Sequence, residues 1–315
     1  MDHRRLGNSG LVVSVAGLGC NNFGRRLDLD GSRRVVHAAL DAGITFFDTA
    51  DVYGDSELHL GEVLQGHRDE VVLATKFGMH VDHNGPDWQA RGSRAYVRRA
   101  VESSLRRLRT DRIDLYQYHQ PDPATPVEET LAALDELVHE GKVRYVGSSN
   151  FAGWQIADAD WIARTRGFER FVSAQNHYSL LERDVDAEVV PACERFGVGL
   201  LPYFPLASGL LTGKYRRGEP APEGTRLRAM RNADRWLADA HFDTVDRLEA
   251  FASERGVGLL DVALGGLAAQ PTVASVIAGA TRPEQITANV AATAWQPTAD
   301  DLVALDDVAP TPRTR

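Results

Sequence analysis

Short apolar runs alternate with stretches of helical periodicity along nearly all of the 315-residue chain. The runs at 12–16, 44–47, 71–75, 113–118, 143–147, 171–175, 198–202 and 274–278 contain many β-branched and aromatic residues, as short buried strands do. Amphipathic segments lie between them. Tyr96, Val97, Ala100, Val101, Leu105 and Leu108 recur at helical spacing, with arginines on the other face. Thr125-Pro-Val-Glu128 reads as a capping box with Pro at the first helical position; it predicts a helix to about residue 140, stopped by Gly141. Gly265-Gly266 interrupts a later helix, at a cost of about 1 kcal/mol per glycine.

Eight such units predict an α/β protein, and this length suits a closed (β/α)8 TIM barrel better than an open doubly wound sheet. The opening Arg5-Leu-Gly-Asn-Ser-Gly-Leu11 carries a Gly/Asn turn and predicts a short N-terminal hairpin. Residues 214–236 are polar, with Gly and Pro but no strand pattern, and read as a functional loop or lid. No linker, repeat or low-complexity run divides the chain, so residues 1–315 are expected to form a single domain.

Composition narrows the partners. A net charge of −9 argues against nucleic acid, because phosphate contacts need a basic face. Cys20 and Cys193 have neither metal nor redox spacing, which fits a reducing, cytoplasmic compartment. No signal peptide is visible at the N-terminus, and the apolar stretch 200–211 is broken by Pro202 and Pro205, so no membrane association is expected. His80 and His83, with Asp82 between them in a polar loop, read as solvated residues, and no metal site is expected.

Chemistry in such barrels collects where strands end. The second run ends at Asp48, with Tyr53 five residues later. The third ends at Lys76 and the fourth at His119. The fifth ends at Ser149-Asn150, the sixth at Gln175-Asn176, the seventh at Tyr203 and the eighth at Gly279-Ala-Thr-Arg282. Singly, Asp48 reads equally as a turn or cap residue, Tyr53 as a rim aromatic, Lys76 as a solvated lysine and His119 as a structural histidine. Together they describe a general acid. A phenol of reference pKa ~10 is a poor acid at neutral pH, and a nearby ammonium lowers that value. A shift of about two pH units would be worth about 2.7 kcal/mol. A carboxylate such as Asp48 keeps a buried lysine charged, and a histidine can donate to a carbonyl oxygen.

This constellation resembles the aldo-keto reductase family. The resemblance rests on Phe47-Asp-Thr-Ala-Asp-Val-Tyr-Gly-Asp-Ser-Glu57, Ala74-Thr-Lys-Phe-Gly78, Asp114-Leu-Tyr-Gln-Tyr-His119, Val143-Arg-Tyr-Val-Gly-Ser-Ser-Asn-Phe151, Leu206-Ala-Ser-Gly-Leu-Leu-Thr-Gly-Lys214 and Ile277-Ala-Gly-Ala-Thr-Arg-Pro-Glu-Gln285 with Asn289, in that order over nearly the whole chain. It implies a reversible, NADPH-dependent reduction of aldehyde or ketone carbonyls. Asp48, Tyr53, Lys76 and His119 form the implied catalytic tetrad, with Tyr53 as acid. Ser149, Asn150, Gln175 and Tyr203 fall at the nicotinamide by the same resemblance, and Cys20, Asn21 and Asp48 are further cofactor-binding candidates. Leu206, Ser208, Gly209, Leu211 and Lys214 fall at the pyrophosphate. Gly279, Thr281, Arg282, Gln285 and Asn289 fall at the adenosine end. Asn22, Phe23, Trp88 and Phe204, with Tyr53 and His119, are the substrate-side candidates for a small carbonyl compound, and a homo-oligomer is compatible with this reading.

Some positions depart from the family pattern. Ala288 stands where a Glu often meets the adenine, and Phe204 replaces a common Ser. Thr281 and Glu284 also suit a plain capping box. A Schiff-base aldolase would account for Lys76 but not for the Asp48–Tyr53 turn. A retaining glycosidase would want paired carboxylates. A redox-sensing regulatory subunit that binds NADPH and turns over slowly is the non-enzymatic alternative.

Overall fold

The computed structural model describes residues 1–86, 88–230 and 233–311. Strands β1 (His3–Arg5) and β2 (Val12–Ser14) form an antiparallel hairpin. They are followed by β3 (Ala16–Gly19), β4 (Phe46–Asp48), β5 (Val72–Phe77), β6 (Ile113–Tyr118), β7 (Val143–Ser149), β8 (Phe171–Gln175), β9 (Gly199–Leu200) and β10 (Val276–Gly279). Among the described residues, these last eight pair in parallel in the order β10-β3-β4-β5-β6-β7-β8-β9, with helices between them. The ring closes through bridges from Leu200 to Val273 and Tyr203 to Ile277, where Ala274 N donates to Leu200 O at 3.0 Å and Ile277 N to Pro202 O at 3.1 Å. The result is the (β/α)8 barrel with its N-terminal hairpin.

The first apolar run divides where a single strand was expected. Residues 12–14 belong to the hairpin, and the barrel strand starts at Ala16. Ser14 makes the break. Its Oγ donates to Ala16 O at 2.7 Å and accepts from Thr45 N at 3.0 Å, so it turns the chain between the two strands. Inside the barrel, Leu6, Leu11 and Val13 of the hairpin segment pack with Phe46, Ala74, Leu115, Leu201 and Ile277, and the hairpin plugs one end. The larger core lies between the barrel and its helices.

Two further expectations are corrected. The predicted capping box at Thr125 is not made: the helix is Val127–His139 with Pro126 at its N-cap, and Thr125 Oγ1 donates to Asp122 Oδ2 at 2.8 Å instead. Gly265 and Gly266 do not interrupt the helix Leu259–Ala268; they let it approach its neighbours. A Cβ on Gly265 would stand 2.9 Å from Ala292 O and from Trp295 Cβ. The polar 214–236 segment holds a 3-10 turn, Leu227–Ala229, and a short helix, Ala233–Trp236; positions 231 and 232 lie outside the described residues. No helix among the described residues is long and apolar enough to cross a membrane. Replacing Gly265 by Val should cost roughly 1–3 kcal/mol in urea unfolding, because the clash is with backbone; an unchanged midpoint would contradict the close-packing role.

Candidate active site

Side chains two apart on a strand share a face, so each inward row climbs from an apolar layer to a polar one at the barrel mouth. Phe46 is followed inward by Asp48, Ala74 by Lys76, and Leu115 by Gln117. The register sets Lys76 beside Gln117 and Ser149 beside Gln175. Lys76 is 0% exposed and its Nζ donates to Asp48 Oδ2 at 2.6 Å and Thr49 O at 2.9 Å. Asp48 Oδ1 accepts from Gln117 Nε2 at 3.0 Å and Gln175 Nε2 at 2.8 Å. The carboxylate is thereby held from three sides.

The turn after Asp48 brings Tyr53 over this layer. Thr49 Oγ1 donates to Ser56 Oγ at 2.8 Å, Ser56 Oγ to Cys20 O at 2.9 Å, and Ser56 N to Tyr53 O at 3.2 Å. Lys76 Nζ lies 5.2 Å from the Tyr53 ring centre, close enough to lower the phenol by its charge. The Tyr53 and His119 rings meet edge to face, with centres 5.8 Å apart. The four tetrad residues are thus in one place.

Their electrostatics correct one expectation. The Tyr53 phenol lies above its ordinary value, because burial outweighs the lowering by Lys76 and Asp48 adds to the rise. The phenol therefore holds its proton at rest. Burial opposes the Lys76 charge most strongly, yet the Asp48 carboxylate, by charge and by hydrogen bond, is the main group that keeps this lysine above its ordinary value. Burial, then Lys76, lowers His119 to about 3, so its imidazole is neutral and serves as a hydrogen-bonding group.

These groups face a cleft of about 640 Å³. Cys20, Asn21, Asn22, Ser149, Asn150, Gln175, Tyr203 and Phe204 line it beside Asp48, Tyr53 and His119. Leu206, Ser208, Gly209 and Lys214 line the same cleft, with Gly279, Thr281, Arg282, Gln285 and Asn289. Lys76 lies beneath the floor. Three candidates sit elsewhere. Phe23 is 0% exposed in the barrel–helix core. Leu211 packs with Leu210, Tyr215 and Phe242 in a separate cluster. Trp88 is 77% exposed against Arg99 and does not line the cleft.

Several polar groups are already engaged. Asn150 Nδ2 donates to His119 O at 2.9 Å and its Oδ1 accepts from Tyr203 OH at 2.8 Å, so it ties three strand ends together. Gln285 Oε1, and not Glu284, caps the helix Pro283–Thr293, accepting from Thr281 N at 2.7 Å and Arg282 N at 3.2 Å. Burial, and then Arg107, lowers His83, and His80 pairs with Asp82 at 3.3 Å. Among the described residues, no group of three or more His, Cys, Asp or Glu side chains is placed to hold a metal ion.

Sequence reasoning missed Gln117, Arg26 and Arg226. Gln117 was legible as an amide on the inward face of a buried strand, two residues before His119. The arginines carried no signal, since Arg26 beside Arg25 and Arg226 near Arg228 read as ordinary solvated charges in loops. Arg26, Lys214, Arg226 and Arg282 converge on the cleft; burial and then the other three cations lower Lys214. Ser208 and Gly209 have φ of 58° and 96°, and Ser208 Oγ is buried without a partner. A cradle of crowded cations and an orphaned hydroxyl fits the phosphates of a dinucleotide.

A model of the aldo/keto reductase family matches residues 16–310. "Uncharacterized oxidoreductase YrpG" of Bacillus subtilis (strain 168) is 38% identical, over 99% of this chain and 97% of that protein. "Probable aldo-keto reductase 1" of Glycine max is 34% identical over 97% and 88%. A "probable voltage-gated potassium channel subunit beta" of Oryza sativa subsp. japonica is 36% identical over 93% and 91%.

The ring nitrogens of His119 should stay neutral by NMR from pH 8 down to about pH 4, given a folded value of about 3. As pH falls from 6.5 toward 3, the unfolded chain takes a proton that folded His119 refuses, so this residue withdraws stability across that window. A His119 titration near 6.5 would contradict the buried, neutral state.

Proposed function

The chain belongs to the aldo/keto reductase family, and on that premise we propose that it is an NADPH-dependent oxidoreductase that reduces aldehyde or ketone carbonyls to alcohols, reversibly, in the cytoplasm. One observation carries the reading: a protonated phenol sits on a buried, carboxylate-held ammonium, beside a neutral imidazole, at the floor of a cleft whose far walls are cationic.

Bound reduced nicotinamide would supply the hydride; Arg26, Lys214, Arg226, Arg282 and Ser208 would hold its phosphates, and Ser149, Gln175 and Tyr203 its nicotinamide end. The chain's own part is proton transfer. The Tyr53 O–H donates to the carbonyl oxygen as negative charge grows there. Lys76, kept cationic by Asp48, offsets the charge that passes onto the phenol oxygen. A neutral His119 N–H orients the same oxygen. Because the ion pair already exists at rest, little reorganisation accompanies the step. Arg282 at the start of helix Pro283–Thr293 is the group for NADPH preference, where a guanidinium and a helix N-terminus both favour a 2′-phosphate.

The Oryza sativa relative's name supports a second reading, a slow-turnover NADPH-binding regulatory subunit. The complete tetrad favours the enzyme. Tyr53→Phe should lose roughly 10²–10⁴-fold in turnover across a panel of aldehydes while NADPH still quenches protein fluorescence at wild-type concentrations. Near-wild-type turnover in this variant would exclude Tyr53 as the acid. Tight NADPH binding by the wild type with no turnover of any carbonyl compound would favour the regulatory subunit.

A further inference from the structure

Behind the Tyr53 turn lies a second buried polar cluster that the proton transfer does not use. Asp51 is 1% exposed. Its Oδ2 accepts from Asn84 Nδ2 at 2.7 Å, while its Oδ1 has no partner. Asn84 Oδ1 is equally buried and also has none. Two acceptor oxygens are therefore orphaned on one facing pair. Buried acceptors are normally matched, and a proton is the one addition that makes either of them a donor.

The surroundings favour an anion at Asp51 too weakly to offset its burial: Asn84, Arg107 and the Val52 backbone lower its carboxyl, and burial and Glu57 outweigh them. Arg107 on helix Arg94–Leu108 is committed to Glu57, with Nε 2.7 Å from Oε2. Glu57 on helix Ser56–Val63 is itself buried and faces Asp51 as a like charge. Tyr116 on β6 presents a buried hydroxyl without a partner. His83 near this cluster is lowered by burial and by Arg107, and from β5 the contact is backbone, Asp51 N donating to Lys76 O at 3.2 Å. Asn84 extends the link, since its Nδ2 also reaches Tyr96 OH at 3.3 Å, and Tyr96 OH donates to Met79 O at 2.9 Å.

We propose that Asp51 is a positioning residue carried as a neutral carboxylic acid, its Oδ1 proton closing an acid–amide pair with Asn84 that fixes the Tyr53 turn against the segment following β5. The role in turnover rests on the reading of Tyr53 as the proton donor; the protonation itself does not. Burial and Glu57 push the Asp51 carboxyl up to about 8, so the proton is present at neutral pH and leaves in mild alkali. Neither Tyr53, held above its ordinary value, nor His119, at about 3, titrates there.

The test joins stability to turnover. A carboxyl raised in the folded state withdraws stability as pH climbs from its unfolded value, ~3.9, to its folded value, about 8, and withdraws no more above it. Asp51→Asn retains an amide pair with Asn84 and cannot ionise. Its advantage in thermal midpoint over the wild type should widen from about pH 5 to about pH 8 and then level off; a gap independent of pH overturns the proposal whatever the protein's activity. With NADPH and an aldehyde, wild-type kcat should fall about tenfold in total as pH rises through about 8 and then level off, and Asp51→Asn should lack that fall. The same alkaline fall in both overturns the proposal. Asn84→Ala should lower kcat roughly tenfold, and more than it changes KM; a wild-type kcat removes the positioning role. If the wild type turned over no carbonyl compound, the reading of Tyr53 would fail, and the pH-dependent stability gap would still decide the state of Asp51.

Discussion

A lysine with no solvent exposure governs this barrel mouth. An ammonium buried among apolar strands is stable only if it is paired and its partner is paired in turn. Lys76 meets Asp48 at 2.6 Å, and Asp48 meets Gln117 and Gln175. Strands β4, β5, β6 and β8 each contribute one member, so the charge is distributed across half the barrel. The geometry of the site is therefore a property of the sheet register and not of a mobile loop. The one loop element, the Tyr53 turn, is bound back by Thr49, Ser56 and Cys20.

The same burial sets the acid's resting state. Proximity of an ammonium alone would lower a phenol's pKa, and desolvation raises it. At Tyr53 desolvation prevails. The phenol thus waits protonated, and the cation beneath it acts as negative charge develops on its oxygen. His119 follows the same logic with opposite sign, since burial and a neighbouring cation strip its proton. One cation and one low-dielectric floor produce an acid and a neutral donor side by side.

Much of this was legible before the fold. The period-two rows ending in Asp48, Lys76 and His119 follow from strand geometry, and the parallel barrel from eight alternating units. Other features depended on contacts distant in sequence. Ser14 divides an apolar run that reads as one strand, because its partner is Thr45. Gly265 looks like a helix defect until Ala292 and Trp295 are placed against it. Phe23 and Leu211 sit beside cleft residues in sequence but turn into the core. Arg226 is one arginine in a polar loop until folding sets it over Phe204, 4.8 Å from its ring centre.

The central claim is that Asp48 acts through Lys76. A double-mutant cycle on the rate of carbonyl reduction tests it most directly. Asp48→Asn and Lys76→Met should each lower kcat, and the double variant should be no slower than Lys76→Met alone, because the carboxylate has nothing left to hold. Losses that simply multiply would mean that the two residues act independently, and the account of the buried ion pair would be wrong.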